Sequence, residues 1–126
     1  MAAFIISIPR EVAADEGVMR AYQEQIEATK APYGGRYRVL TGHRIEVLEG
    51  DWRPPLGLVI HEFPSFEQAR AWYYSPEYAP LRAHRQAHNR FDMILVDGLA
   101  DGETLLSLIQ QRDAHEQGSG SPDTSS

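Results

Sequence analysis

The stretch that decides the fold runs from Leu56 to Tyr78 and is L-G-L-V-I-H-E-F-P-S-F-E-Q-A-R-A-W-Y-Y-S-P-E-Y. Its first part, residues 56–63, is an apolar run of strand length that ends at a Pro-Ser pair. Ser65 and, three residues later, Gln68 form a capping-box pattern that begins a helix. Ser75-Pro76 ends that helix and can begin another. The stretch therefore predicts a strand, a tight connection and a helix.

The segments on either side repeat this order of elements. An apolar run at 3–8 and a pattern of apolar residues at helical spacing from Asp15 or Glu16 to about Ala31 precede it, followed by a long strand at 36–48. A second helical segment to about Arg90 and a strand at 91–96 follow it. The order β-α-β-β-α-β predicts an α+β fold of the ferredoxin-like kind, with a four-stranded antiparallel sheet and helices on one face.

The 126 residues suffice for one domain, which we place at 1–98. Residues 99–126 form an acidic C-terminal extension, with a short amphipathic helix predicted at 103–111 and a disordered composition from Gln117 onward. The extension carries five acidic residues against one arginine, while the domain has a net charge of only −2.

Composition excludes several classes of function. A nearly neutral domain with an acidic tail disfavours nucleic acid as a partner, because phosphate binding needs a clustered basic surface. No apolar run has the length of a membrane span, and the first residues lack the pattern of a secretory signal. The absence of cysteine excludes disulfides and thiolate ligands, and it agrees with a cytoplasmic location.

The apolar strands at 3–8 and 91–96 predict an assembly. Both are apolar on both faces, whereas the helices cover only one face of the predicted sheet. The other face needs an apolar partner, and a second copy of the chain is the simplest one. We therefore expect a homodimer that packs sheet against sheet.

Several short motifs follow one another along residues 2–98. They are Tyr33-Gly34-Gly35-Arg36, Glu49-Gly50-Asp51-Trp52, Glu62-Phe63-Pro64-Ser65, Ala69, Trp72-Tyr73, Ser75-Pro76-Glu77-Tyr78, Arg82, Arg85 and Leu95-Val96-Asp97-Gly98. In these motifs and their order the chain resembles the domain-of-unknown-function 1330 family. The resemblance implies a member of the dimeric α+β barrel superfamily, with a ferredoxin-like protomer. That superfamily includes cofactor-independent monooxygenases of antibiotic biosynthesis, small-lactone isomerases, aldolase-like and cyclase-like enzymes, and haem proteins.

His61 is the first catalytic candidate, because it interrupts an apolar strand at a position where the family has an apolar residue. A buried imidazole needs a partner and is suited to general acid–base chemistry; alternatively, a backbone carbonyl satisfies it or it points into the dimer interface. His43, on the preceding strand, is the second candidate; the strand register decides whether it lies near His61, and alternatively it is a solvent-facing strand residue. Strand alternation places the neighbouring Glu62 on the opposite face, where an arginine is its expected partner.

Five further residues are candidates for substrate binding. Arg82 and Arg85 match family positions and suit a carboxylate or enolate oxygen, although salt bridges to Glu77 or Glu62 are an equal alternative. Tyr37, Trp72 and Tyr73 suit the wall of a pocket for a flat ligand, or ordinary core packing.

No metal site is predicted, since His84 and His88 share a helix face without a third ligand at a telling spacing. Phosphate-loop and serine-hydrolase motifs are also missing. The sequence therefore favours a small enzyme without a cofactor, of isomerase, cyclase or monooxygenase type, acting on a small aromatic or enolisable acidic metabolite. The alternative is a non-catalytic dimeric module that binds a metabolite or another protein.

Overall fold

The computed structural model describes residues 1–53 and 57–119, and its four strands form one antiparallel sheet. The order across the sheet is β2-β3-β1-β4, with the two apolar runs β1 and β3 side by side in the centre. This is the predicted ferredoxin-like arrangement. The strands are β1 (Ala3–Glu11), β2 (Arg36–Val39), β3 (Val59–Phe63) and β4 (Arg90–Asp97).

Helices connect β1 to β2 and β3 to β4, and another helix follows β4. The connection from β1 to β2 contains 3₁₀ turns at Glu16–Met19 and Ala31–Tyr33 on either side of its helix. The helices are α1 (Arg20–Lys30), α2 (Phe66–Tyr73), α3 (Ala79–His88) and α4 (Leu105–Ser119). In the described residues, no helix combines the length and apolar character that a membrane span requires.

The two faces of the sheet differ sharply. Pairing between β1 and its neighbours places Ile5 beside His61 and Leu95 on the face that the helices cover. The core lies between that face and the helices. It contains the residues Ile5, Met19, Tyr22, Ile26, Phe63, Ala69, Trp72 and Tyr78.

The opposite face carries apolar side chains without a helix over them. Phe4, Ile6 and Ile8 are only half-buried there, and Ile94, which pairs with Ile6, is 55% exposed. Glu62 lies on this face and is contacted by Arg36 at 3.4 Å and Arg38 at 3.1 Å, as expected for a carboxylate on the face opposite His61.

Two glycines fix the connection from α1 to β2. Gly34 has a φ of 76°, in the left-handed region that ends helices. A Cβ on Gly35 would lie 2.3 Å from the Phe63 ring, so only glycine lets this turn approach β3. The Gly34-Gly35 turn thus sets where β2 begins.

The predicted long strand at 36–48 is wrong. β2 ends at Val39, because its partner β3 runs only from Val59 to Phe63 and the pairing shifts after Tyr37. Residues 40–48 are exposed, and Gly42, with a φ of 116°, turns the chain. Trp52, in the connection to β3, is 38% exposed. The predicted start of β3 at Leu56 lies outside the described residues, as do Pro54 and Pro55.

Helix boundaries also differ from the prediction. Ser65 caps α2 through Gln68 N at 3.1 Å, as expected. Ser75, however, accepts from Tyr78 N within a turn, and α3 begins only at Ala79, where Pro80 suits a first turn that needs no amide donor. In the extension, α4 continues to Ser119 rather than ending at 111, and residues 120–126 lie outside the described part.

Candidate functional site

The C-terminal end of α1 places an amine in the core. Lys30, the only lysine in the chain, is fully buried, and its Nζ lies 3.0 Å from Nδ1 of His61. His61 is 3% exposed and lies on the helix-covered face of β3, between Ile5 and Tyr37 on the neighbouring strands. Tyr22, Ile26 and Lys30 recur every four residues, so the helix that packs its apolar side on the sheet carries Lys30 inward as well.

Burial changes the protonation of both groups. Burial lowers the pKa of Lys30 to about 7, with Glu27 opposing that shift. Burial, followed by the charges of Lys30 and Arg85, lowers the pKa of His61 to about 3. His61 is consequently a neutral imidazole near neutral pH, and its Nδ1 accepts the hydrogen bond that Lys30 donates. Of this pair, Lys30 is the group that titrates near pH 7.

Tyr37 covers the pair from β2. Nζ of Lys30 lies 3.1 Å from the centroid of the Tyr37 ring, and the His61 ring lies 4.9 Å from it. An amine over an aromatic face is attracted by the electron density of the ring, most strongly when the amine is charged. Burial raises the pKa of the Tyr37 phenol, which is therefore protonated near neutral pH.

Trp72 links this pair to a second polar cluster. It is fully buried on α2, and its indole N–H donates to Thr29 Oγ1 at 3.0 Å. Its ring lies 5.5 Å from the His61 ring and 4.1 Å from the Tyr78 ring. With every polar atom of its ring satisfied, Trp72 is a structural wall between the two clusters.

The second cluster consists of Tyr22, Tyr78 and Arg85. The hydroxyls of Tyr22 and Tyr78 are 2.7 Å apart, and Arg85 Nε donates to the Tyr78 hydroxyl at 3.4 Å. Burial raises the pKa of Tyr22, with Tyr78 adding to the effect, so its hydroxyl stays protonated. This cluster is held by α1 and α3, which pack against each other.

Arg85 has an unsatisfied donor. It is only 4% exposed, and its Nη2 has no hydrogen-bond partner among the described residues. Its guanidinium lies 5.6 Å from the centroid of the Phe91 ring, and no ion pair involves it within the described part of the chain. An arginine remains charged in proteins, and a buried, unpaired charge is costly. Among the described residues, the buried side-chain polar atoms without a hydrogen-bond partner are Nη2 of Arg85 and Oγ of Ser7, and Nη2 belongs to the charged group.

A cavity of about 420 Å³ borders the second cluster. Arg85, Tyr22 and Tyr37 contribute to its wall, and most of the remaining wall is apolar. Such a volume is typical of small-molecule sites, as is an apolar wall with few polar groups. The other lining residues are Pro9, Val12, Ala13, Asp15, Met19, Gln23, Leu40, Thr41, Val59, Asn89 and Phe91.

Another cavity, of about 480 Å³, shares Arg85, Asn89 and Phe91 with the first. Its wall also contains Tyr73 and His88. Arg85 therefore contributes to the walls of two neighbouring cavities.

The predicted binding residues fall at different places. Arg82 donates to the carbonyl of Tyr73 and lies over the rings of Tyr73 and Tyr74, at 5.1 and 5.7 Å. Neither Arg82 nor Arg85 forms a described salt bridge with Glu62 or Glu77, since Glu62 pairs with arginines of β2 and Glu77 accepts from Tyr33 at 3.2 Å. Arg85 and Tyr37 share a cavity wall, whereas Arg82 serves the aromatic stack.

The two histidines predicted to be catalytic, His61 and His43, lie in different surroundings. His43 is exposed in the segment after β2, and no hydrogen bond or ring contact in the described residues joins it to His61. His84 Nε2 lies 2.7 Å from the carbonyl of Val18, and its ring is 4.7 Å from that of His88. Across residues 1–53 and 57–119 there is no group of three acidic, histidine or cysteine side chains arranged for a metal ion. The catalytic roles predicted for His61 and His43 remain predictions.

Sequence reasoning missed Lys30 and gave no role to the Tyr22 hydroxyl. The available signal was composition, because a single lysine among eleven arginines is unusual and lies four residues after Ile26 on the buried stripe.

The fold and the cavity define a ferredoxin-like α+β protein with a pocket between helices and sheet. A family model described as "Domain of unknown function (DUF1330)" matches residues 2–99, more than three quarters of the chain. The chain belongs to this family, which confirms the predicted resemblance. No curated protein matches it.

Two solved structures share the fold. The RPA0582 protein of unknown function from Rhodopseudomonas palustris aligns with a TM-score of 0.60 and 20% identity, over 79% of this chain and 83% of its own. SnoaB, a cofactor-independent oxygenase from Streptomyces nogalater, aligns with a TM-score of 0.51 and 14% identity, over 82% of this chain and 95% of its own. At these identities the likeness concerns the fold alone.

Proposed function

We propose that the chain is a small cofactor-independent enzyme that acts on a small aromatic or enolisable acidic metabolite. The ligand occupies the 420 Å³ cavity, with its anionic oxygen on Arg85 and its flat body against the apolar wall. Isomerisation, cyclisation and oxygenation without a cofactor are the reaction types that the proposal covers. A similar fold carries cofactor-independent oxygenation in SnoaB, which supports the proposal by analogy only.

The observation that carries the proposal is the unpartnered Nη2 of Arg85. A guanidinium held beside a mostly apolar cavity wall binds a carboxylate strongly, and it stabilises negative charge that develops on an enolate oxygen. The Tyr78 hydroxyl holds Nε of Arg85, so the side chain is oriented before a ligand arrives. Such preorganisation is what distinguishes a catalytic site from a flexible surface arginine.

His61 and His43 enter this proposal differently. His61 is neutral and bonded to Lys30, so it acts through Lys30 rather than as a group that exchanges a proton with solvent. His43 is exposed, and it takes part only if the segment after β2 folds over a bound ligand. Substrate contact is therefore assigned first to Arg85 and Tyr37. Trp72 lines neither cavity, and Tyr73 lines the 480 Å³ cavity instead.

The test is a panel of small aromatic acids and β-keto acids incubated with the protein, with products followed by mass spectrometry. Wild type is expected to convert at least one acid, and Arg85→Met is expected to lower that turnover by about 100-fold or more, the usual cost of a lost charge-stabilising donor. Arg20→Met is the matched control, since Arg20 is exposed and borders none of the cavities described above. Arg85-dependent binding without turnover would favour the alternative below; no binding of any acid would overturn the proposal.

The alternative, a non-catalytic binding module, rests on the exposed apolar residues of the C-terminal extension. Leu105 and Leu106 at the start of α4 are 75% and 62% exposed, and Leu99 before it is 60% exposed. A protein partner that covers this segment would explain them. Deleting residues 99–126 would abolish partner binding and spare any turnover if the two functions are separate.

The uncovered face of the sheet supports a homodimer under either function. Its apolar residues include Phe4, Ile6, Ile60, Ile94 and Val96, in register across three strands. A second copy packed on this face would bury them by a two-fold arrangement. Light scattering at micromolar concentration is expected to give twice the 14.2 kDa chain mass, and Ile94→Glu is expected to give a monomer. A monomeric wild type would contradict this assembly.

A further inference from the structure

Tyr37 has a hydroxyl that the protein itself does not use. Its side chain lines the 420 Å³ cavity together with Arg85. Tyr22, the other tyrosine of that wall, has its hydroxyl bonded to Tyr78 at 2.7 Å. The Tyr37 hydroxyl, in contrast, makes no hydrogen bond to any described residue, so it is a donor available to a ligand.

Lys30 and His61 pack against the ring of Tyr37. Lys30 Nζ lies 3.1 Å from its centroid, and His61 holds Lys30 through a 3.0 Å hydrogen bond while stacking on Tyr37 at 4.9 Å. Lys30 is fully buried and lines none of the described cavities, so it does not contact a ligand itself. Its influence on the cavity passes through Tyr37.

We propose that Tyr37 donates a hydrogen bond to the anionic group held by Arg85, and that Lys30 is a positioning residue that strengthens this bond when it is protonated. The inference deepens the proposed function and rests on it. The ligand class that it names is a monoanion, a carboxylate or enolate, met by two donors on an apolar wall. No covalent step is involved.

The physical basis is the field of the ammonium on the phenol. A cation over the ring face withdraws electron density and favours the state in which negative charge develops near the phenol oxygen. A stronger O–H donor then binds an oxyanion more tightly. A neutral amine has a much weaker effect, so oxyanion binding is expected to fall as Lys30 loses its proton.

The groups that face Lys30 define the pH range. Those within its surroundings are Glu27 on α1, His61 on β3 and Tyr37 on β2, and Arg85 on α3 acts on His61. His61 is neutral and Tyr37 is protonated over pH 6 to 8, because burial moves the pKa of each out of that range. Lys30, with a pKa of about 7, is the member of this set that changes charge there.

Benzoate is the probe, because its carboxylate is ionised throughout pH 6 to 8, and benzyl alcohol is the uncharged counterpart. Calorimetric titration of the full chain is expected to give benzoate affinity about fivefold higher at pH 6 than at pH 8. Tyr37→Phe is expected to weaken benzoate binding by about tenfold at pH 6, the usual loss for a hydrogen bond to a charged group. Tyr33→Phe is the matched control, since Tyr33 bonds Glu77 outside the cavity.

Two variants of Lys30 separate positioning from packing. Lys30→Met, similar in length and apolar, is expected to keep the fold and to make benzoate affinity independent of pH at the lower, pH 8 value. Lys30→Arg keeps a charge at both pH values and is expected to retain the higher affinity at pH 8. Circular dichroism verifies folding of each variant.

The outcomes distinguish the two proposals. If benzoate binds, Arg85→Met abolishes binding, and yet Tyr37→Phe and Lys30→Met leave affinity and its pH dependence unchanged, the inference on Tyr37 and Lys30 is wrong and the Arg85 site stands. If wild type does not bind benzoate, or Arg85→Met binds it equally well, the proposed function fails together with the inference. Benzyl alcohol binding as tightly as benzoate would likewise contradict an anion site.

Discussion

Lys30 and Arg85 are both buried basic side chains, but they differ in whether they can lose their charge and in whether they border a cavity. Lys30 is fully buried, held by a neutral imidazole and an aromatic ring, and its pKa falls to about 7, so it can lose its charge. Arg85 cannot lose its charge, borders two cavities and keeps a donor without a partner. Lys30 can relieve its buried charge by deprotonation, whereas we propose that an anionic ligand pairs with the charge of Arg85. Trp72 packs against His61 on the Lys30 side and against Tyr78 on the Arg85 side. A rigid Trp72 is therefore needed to keep the two surroundings distinct.

The largest expected effect on stability comes from removing Trp72, which packs between the two clusters. Trp72→Ala deletes a fully buried indole that contacts His61, Phe63 and Tyr78, and it is expected to cost about 3–5 kcal/mol in the free energy of unfolding. Trp52→Ala, at the other tryptophan, is expected to change stability by no more than roughly 1 kcal/mol, because Trp52 is 38% exposed. Urea unfolding at one fixed protein concentration compares them. Equal losses would mean that Trp72 does not anchor the two clusters.

The next largest effect is the pH dependence of stability that follows from the titration of Lys30. Lys30 has a lowered pKa when folded and an ordinary one, 10.5, when unfolded, so the unfolded chain binds more protons between pH 7 and 10.5. Stability is therefore expected to rise with pH in that window, by about 3 kcal/mol from pH 7 to 9.5. Urea unfolding across this range measures the rise, and the range ends below 10.0, the ordinary pKa of tyrosine.

Lys30→Met is the control for that rise. The variant lacks the titrating amine, so its stability is expected to be nearly independent of pH over the same range, apart from groups common to both chains. At pH 7 it is expected to be more stable than wild type, since an apolar side chain replaces a buried charge. A variant with the same pH dependence as wild type would show that Lys30 is not the titrating group.

A smaller effect tests the second cluster. Tyr22→Phe removes the hydroxyl bonded to Tyr78 at 2.7 Å and is expected to cost about 1 kcal/mol, the net contribution of one buried hydrogen bond. Tyr33→Phe, whose hydroxyl bonds Glu77 at the surface at 3.2 Å, is expected to cost less than about 0.5 kcal/mol. Equal stability of the two variants would mean that the Tyr22–Tyr78 hydrogen bond adds little to the fold. The orientation of Arg85 would then not depend on a rigid pair of tyrosines.

The smallest effect concerns a charge on the other face of the sheet. Glu62→Gln removes the ion pairs with Arg36 and Arg38, which are more than half exposed, and it is expected to change stability by less than about 1 kcal/mol. The change is expected to shrink further in 1 M salt, unlike that of Lys30→Met. A salt-independent loss of several kcal/mol would mean that Glu62 is as critical as the buried cations.

The sequence predicted the sheet and its order of elements because apolar runs and helix caps are local signals. The Ser65 cap and the opposite faces of His61 and Glu62 follow from spacing alone, and both are present. The strand at 36–48 was overextended because its alternation continues beyond the point where β3 offers a partner. Pairing length is a tertiary property that a single strand does not encode.

The site was predictable only in part for a related reason. Arg85 and Tyr37 stood out through motif and strand position, but which arginine is buried depends on the angle at which α3 meets the sheet. Arg82, three residues earlier, stacks on Tyr73 instead. Lys30 was missed because a lysine in a helix is normally exposed, and only the packing of α1 brings it beneath Tyr37.

A crystal structure of the protein with benzoate at saturating concentration decides whether Arg85 binds the anion. The benzoate ring is expected in the 420 Å³ cavity, with a carboxylate oxygen about 2.7–3.2 Å from Nη2 of Arg85 and the protein fold unchanged. Benzoate bound elsewhere, or Nη2 of Arg85 without the ligand while the crystal is saturated, would contradict it.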